Sequence, residues 1–135
     1  MIALDPFNEI NDSSGNATGA TVLIAAINAL QSMTRSVDTF GRIGGEEFAA
    51  LMPQTCLQAA TDLAERLRAA LEEMDVRVGE QSVKVTASFG VAAIDMTKET
   101  LAESMRRADA ALYFAKSRGR NRVEQAEGPD VVLNV

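Results

Sequence analysis

The chain has 135 residues, 47% of them apolar and 24% charged, and a net charge of −6, which suits one folded core, excludes a disordered chain and argues against a polynucleotide partner. One cysteine, Cys56, excludes an internal disulfide, and the lack of histidine leaves acid–base or metal chemistry to carboxylates, lysine or water. With no basic, apolar leader and no apolar run near the ~20 residues of a membrane span, the expected setting is a reducing cytoplasm and a chain without a membrane segment.

Residues 2–7 form a short apolar run that Asp5-Pro6 should stop as a strand. Residues 11–16 are loop and cap chemistry. From about Thr18 to Met33 the spacing predicts a helix with Leu23, Ile27 and Leu30 on one stripe and Val22 and Ala26 beside it. Phe40–Ile43 and Phe48–Met52 read as two strands joined by Gly44-Gly45-Glu46-Glu47, a hairpin. A second helix covers 57–74 and buries Leu63, Leu67, Ala70 and Leu71. Val76–Val78 and a strand-like run over 83–93 read as a second hairpin. A third helix covers 98–116, with Leu101, Met105, Ala108, Leu112 and Ala115 inward and Tyr113 packed. Gly119 stops it, and residues 122–124 close with a strand. Strand, helix, hairpin, helix, hairpin, helix, strand is an α/β (α+β) order: a palm-like fold with a mostly antiparallel central sheet flanked by helices. The domain is placed over 1–125 and a flexible tail over 126–135.

Two adjacent acids at a hairpin tip repel each other and are depleted in strands. Glu46 and Glu47 therefore read either as incidental charge on an exposed turn or as hard-cation ligands, with two glycines permitting close approach of a bulky group. Arg106, Arg107, Lys116, Arg118, Arg120 and Arg122 crowd one late segment. They suit either a solvated helix end or a small phosphorylated ligand. Arg35 and Asp38, at i and i+3, read either as a local ion pair ending a helix or as a site that grips phosphate and guanine edges.

The segment Phe40-Gly41-Arg42-Ile43-Gly44-Gly45-Glu46-Glu47-Phe48 resembles the signature of GGDEF domains in its GGEEF spelling. Residues 4–19 are similar to the family's first-strand and loop motif, residues 85–92 to its late strand, and residues 107–116 and 119–123 to its last helix and strand. The motifs stand in the family's order and cover roughly residues 2–124. The family's opening helix ahead of the first strand is not in this sequence.

The resemblance implies a fold that joins two GTP molecules, one on each of two facing domains, into cyclic di-GMP, with Mg²⁺ as cofactor. It makes Glu46 a metal ligand and, beside Glu47, a catalytic residue. It gives guanine to Asn11 and the triphosphate to Lys116 and Arg120. It makes Arg35-Ser36-Val37-Asp38 the RxxD inhibitory site for cyclic di-GMP, with Arg66 reaching a ligand on a neighbouring domain, so that self-association is a ligand-bridged dimer. The departures fall around the GTP pocket. The family's metal-binding first-strand aspartate is Ala3, and Asp5 falls on the motif's second acid. The usual lysine is Asn8, the loop histidine is Asn16, and the acid after Gly19 is Ala20. The expected function is therefore cyclic di-GMP binding with weak or no cyclase activity. An active diguanylate cyclase and an interaction pseudoenzyme that binds neither nucleotide are the alternatives left open.

Overall fold

A computed structural model describes residues 1–6 and 15–128 of the chain. In chain order the elements are β1 (Ile2–Leu4), α1 (Gly15–Met33), β2 (Thr39–Gly44), β3 (Glu47–Leu51), α2 (Leu57–Glu73), β4 (Asp75–Val78), β5 (Gln81–Lys84), β6 (Ala87–Val91), α3 (Leu101–Ser117) and β7 (Val123–Gln125). Five strands form one sheet in the order β2-β3-β1-β6-β7, antiparallel except for the β6–β7 pair. The palm-like α/β expectation therefore holds. Among the described residues no helix is long and apolar enough to cross a membrane.

β1 is short but central. Ile2 stands opposite Phe48 on one side and Phe89 on the other, and Ala3 stands between Glu47 and Ser88. Alternation along the strand sends Ile2 and Leu4 into the core that Val22, Ala26 and Leu30 of α1 and Leu63, Leu67 and Leu71 of α2 share with Phe48 and Phe89. The α1 stripe is thus centred on Val22, Ala26 and Leu30, while Leu23 and Ile27 are only half-buried. Packing against α2 and β4 decides which side of the helix turns inward.

The run over 83–93 is not one strand. β4 and β5 form a separate two-stranded ribbon, and the chain leaves it at Val85-Thr86 to enter the main sheet as β6. Periodicity carries through this crossing unbroken, because Val83, Val85, Ala87 and Phe89 are all buried on either side of it.

α3 starts at Leu101 because Thr100 and Glu103 form a reciprocal capping box there. Ser104, Ala108, Ala111, Leu112 and Ala115 are its buried residues. Leu101 and Met105, expected inward, instead line a cavity of about 590 Å³ that also touches Leu51, Leu67, Phe89 and Gly90. Tyr113 is 68% exposed, outside the packed face, with its ring against Phe114.

Small residues let α3 lie directly on the sheet. A Cβ on Gly90 would fall 2.1 Å from the Ala108 carbonyl oxygen and 2.4 Å from the Leu112 nitrogen. Both are main-chain atoms, so neither can rotate away. Gly90→Ala is expected to cost about 3 kcal/mol and to lower the Tm by ~10 °C, as measured by thermal unfolding.

Candidate functional site

The β2–β3 turn is shaped before any ligand is considered. Gly45 has φ +55, a conformation costly for other residues, and the ladder shifts register between Arg42 and Gly44. The Arg42 Nε donates to the Gly45 carbonyl at 2.9 Å and closes the turn. The Glu46 carbonyl accepts from the Leu4 N–H at 3.0 Å, which pins the turn to β1. The Glu46 side chain is exposed. Glu47 is half-buried, with Lys116 Nζ 3.7 Å from its carboxylate. Two expected site residues, Glu47 on β3 and Lys116 on α3, thus come together.

Ala3 is fully buried beside Glu47 and brings a methyl group where the resemblance implies a metal-binding acid. Mg²⁺ takes near-octahedral oxygen coordination, commonly from one or two carboxylates with phosphates and water completing it. Here Glu46 is one open carboxylate, Glu47 is shared with Lys116, and among the described residues no three His, Cys, Asp or Glu side chains cluster. The described residues thus build no closed cage for the ion and fit it only as a companion of bound phosphates, through the Glu46 carboxylate.

Asp5 is two residues beyond Ala3 and is not a spare ligand. It is 4% exposed, and its carboxylate accepts from Ser88 Oγ at 2.6 Å, Thr86 Oγ1 at 2.7 Å and the Asn121 N–H at 3.0 Å. Its oxygens are committed to β6 and to the turn before β7.

The basic cluster sorts itself by partner. The Arg107 Nε donates to Glu99 at 2.9 Å, and its Nη2 donates to the Ala93 carbonyl at 2.6 Å. Glu99 is held below the usual carboxylate range by Arg107. Arg118 and Arg122 both pair with Glu124, at 2.8 and 2.9 Å. Arg120 is exposed, with φ +64, and makes no side-chain hydrogen bond or ion pair among the described residues. The cluster is mostly scaffold, and Arg120 and the exposed Arg106 are the members without a side-chain hydrogen bond or ion pair among the described residues.

At the far end of α1 the chain turns through Arg35–Asp38. The Arg35 Nη2 reaches Asp38 at 2.9 Å, Thr55 Oγ1 at 2.7 Å and the Pro53 carbonyl at 3.2 Å. Its Nε and its main-chain N–H also donate to Asp38. The Asp38 side chain is fully covered, and the Arg35 hydrogen bond holds its carboxyl below the usual range. The local ion pair therefore exists, and it fixes a guanidinium that remains half-exposed. Arg66 is exposed nine residues into α2, ~14 Å along the axis from Leu57.

Asn8 and Asn11 lie outside the described residues, as does the side chain of Asn16, while Ala20 is exposed on α1. Sequence reasoning did not find the role of Cys56, which caps α2 by accepting from the Ala59 N–H at 3.5 Å. Its place just after Thr55, at the start of an apolar periodic run, was the available signal. The triple anchoring of Asp5 gave no sequence signal, because its donors are more than 80 residues away along the chain.

A family model for the diguanylate cyclase GGDEF domain matches residues 1–122. The chain is 41% identical over 123 residues to diguanylate cyclase A of Treponema denticola, covering 91% of this chain and 33% of that relative. Diguanylate cyclase SiaD of Pseudomonas aeruginosa, solved in complex with its activator SiaC, superposes with a TM-score of 0.81 at 40% identity, over 93% of this chain and 49% of that one. The coiled coil and GGDEF domain of DgcB from Caulobacter crescentus, solved in complex with c-di-GMP, superposes with a TM-score of 0.83 at 28% identity, over 93% of this chain and 66% of that one. The chain thus spans a third of its curated relative and half of the SiaD chain. A match running from residue 1 to residue 122 takes in every element of the main sheet except β7, and on that ground the chain belongs to the GGDEF family of diguanylate cyclase domains.

Proposed function

We propose that this domain binds cyclic di-GMP through Arg35, with Asp38 holding that side chain, and that it turns GTP over weakly or not at all. The observation that carries the reading is the Arg35 turn. Its guanidinium is held by Asp38, Thr55 and Pro53, yet half of it faces solvent. A planar cation fixed in advance loses little side-chain entropy when it meets a phosphate or a guanine face. The DgcB neighbour was solved in complex with c-di-GMP. Arg66, exposed on α2, would reach a ligand held by a second copy, giving a ligand-bridged dimer.

The weak-turnover half rests on Ala3. Joining two nucleotides places heavy charge on phosphate oxygens and needs compensation there. A buried methyl beside Glu47 supplies none. GTP remains a candidate ligand of Lys116 and Arg120, and of Asn11 in the loop. Any Mg²⁺ would arrive with its phosphates, held on the protein side by Glu46. An active cyclase is the second reading, favoured by the exposed Glu46 carboxylate and the exposed Arg120, neither of which has a side-chain partner among the described residues.

Calorimetric titration with cyclic di-GMP tests the first half. Micromolar binding is expected, weakened by at least ~30-fold, or about 2 kcal/mol, in Arg35→Ala. That variant is also expected to lower the Tm by a few degrees, since it leaves the covered Asp38 carboxylate without its partner, and thermal unfolding checks that it is folded at the titration temperature. No binding by the natural chain would refute the reading.

The pH dependence follows from Asp38. Its carboxyl lies below its ordinary value, so the Arg35–Asp38 pair is complete above the normal carboxylate range and is lost as pH falls through the lowered value. Cyclic di-GMP affinity is expected to stay flat from pH 8 to about pH 5 and to fall only in stronger acid.

Incubating the chain with GTP and Mg²⁺ tests the second half. Little or no cyclic di-GMP is expected from the natural chain. Ala3→Asp should raise the rate by about two orders of magnitude, ~2.7 kcal/mol, at a cost in Tm from a buried carboxylate beside Glu47. Rapid product formation by the natural chain would establish the cyclase reading instead.

A further inference from the structure

After α3 the chain passes through three consecutive residues with positive φ: Gly119 at +124, Arg120 at +64 and Asn121 at +46. For arginine and asparagine that conformation is unfavourable and persists only where the surroundings impose it. The fixings are visible. The Arg120 N–H donates to the Ala115 carbonyl at 2.9 Å, and the Asn121 N–H donates to the Asp5 carboxylate at 3.0 Å. The Asn121 side chain bonds Glu72, and Arg68 Nη1 reaches it at 3.1 Å, so α2 holds it from a third direction. Asp5 is the buried member of this set. It is locked to Thr86 and Ser88, so it cannot follow the turn if the turn relaxes.

From this geometry we infer that Asp5 is a positioning residue for Arg120: its carboxylate, anchored on β6, holds the Gly119–Arg120–Asn121 turn in the left-handed conformation that leaves the Arg120 guanidinium open to a phosphate. The inference rests on reading Arg120 as a phosphate contact. It gives Asp5 a task that needs no metal and that Ala3 does not share. A carboxylate accepting from a main-chain N–H inside the protein is a charge-assisted bond that a neutral side chain replaces poorly. The anchoring also separates this turn from the Arg35 site, whose partners are Asp38, Pro53 and Thr55.

The test uses the whole chain, with inorganic tripolyphosphate as the probe of the phosphate contact, calorimetry as the affinity readout and ¹⁵N–¹H spectra as the readout of the turn. Asp5→Asn is expected to weaken tripolyphosphate binding about tenfold, to move the Arg120 and Asn121 amide resonances, and to leave cyclic di-GMP affinity within about twofold, because that site shares none of these bonds. Adding Asn121→Gly should restore part of the lost affinity, since glycine adopts this backbone conformation without strain. A purely structural role for Asp5 would instead lower both affinities and show no rescue. If Asp5→Asn does not fold, Thr86→Val removes a donor to the same Asp5 oxygen and should move the same two resonances. Unmoved resonances with unchanged tripolyphosphate affinity overturn the inference. If the natural chain does not bind tripolyphosphate, or binds it equally well as Arg120→Ala, the phosphate reading of Arg120 has failed and the inference fails with it, while resonances that move in that case retain only the Asp5 hold on the turn.

Discussion

The structure depends on a strand of three residues. β1 lies in the middle of the sheet, bonded to β3 on one side and β6 on the other, and it is buried throughout. A strand this short gains little from its own ladder, so its place is secured at both ends. At one end Met1 exchanges main-chain hydrogen bonds with Gly90. At the other, Leu4 donates to the Glu46 carbonyl and Asp5 to the Thr86 carbonyl, while the Asp5 carboxylate gathers Thr86, Ser88 and Asn121. The GGEEF turn, β6 and the turn carrying Arg120 all meet at that second end. The geometry of the candidate nucleotide site is therefore a consequence of how β1 stops. Proline at position 6 has no N–H to extend the ladder and reinforces the stop there.

The two candidate sites are built by opposite strategies. At Arg35 an acid and a base satisfy each other first, and what remains exposed is the outer part of a cation whose orientation is already fixed. Such a site needs no ion to become attractive to phosphate. Around Glu46 and Glu47 the charges are not matched in this way. Lys116 stands 3.7 Å from Glu47, a loose pair, while Glu46 and Arg120 are exposed. The Arg35 turn is thus organised by its own residues, whereas the groups around Glu46 are not matched to one another.

Much of this was legible in the sequence, for identifiable reasons. Leu63, Leu67 and Leu71 announce α2 because one amphipathic stripe faces one core. Gly44-Gly45 between apolar runs announces the hairpin because few other residues accept that turn. The offset from Arg35 to Glu46 marked both candidate regions. What escaped was whatever long-range pairing decides. The crossing at Val85-Thr86 is hidden because burial alternates evenly through it. Leu101 and Met105 look inward by helical spacing, yet they border a cavity, since spacing says which side faces inward but not whether anything fills it. Tyr113 sits in a family-like helix motif yet is exposed. The role of Asp5 is set by partners 81, 83 and 116 residues away.

Ala3 and Asp5 bring these threads to one point. They lie two residues apart, one within β1 and one just past its end, yet one position holds a methyl group and the other an acid. An acid at position 3 would be fully buried beside Glu47, with Ser88 across from it. Without a bound cation that carboxylate would pay desolvation and like-charge repulsion together. Alanine removes both costs and packs in the same space. An acid at position 5 meets two hydroxyls and a main-chain N–H, so removing it would leave buried donors unsatisfied. The fold alone therefore accounts for both residues: an unpaired acid at position 3 would be buried without a partner, whereas the acid at position 5 meets three donors that need it.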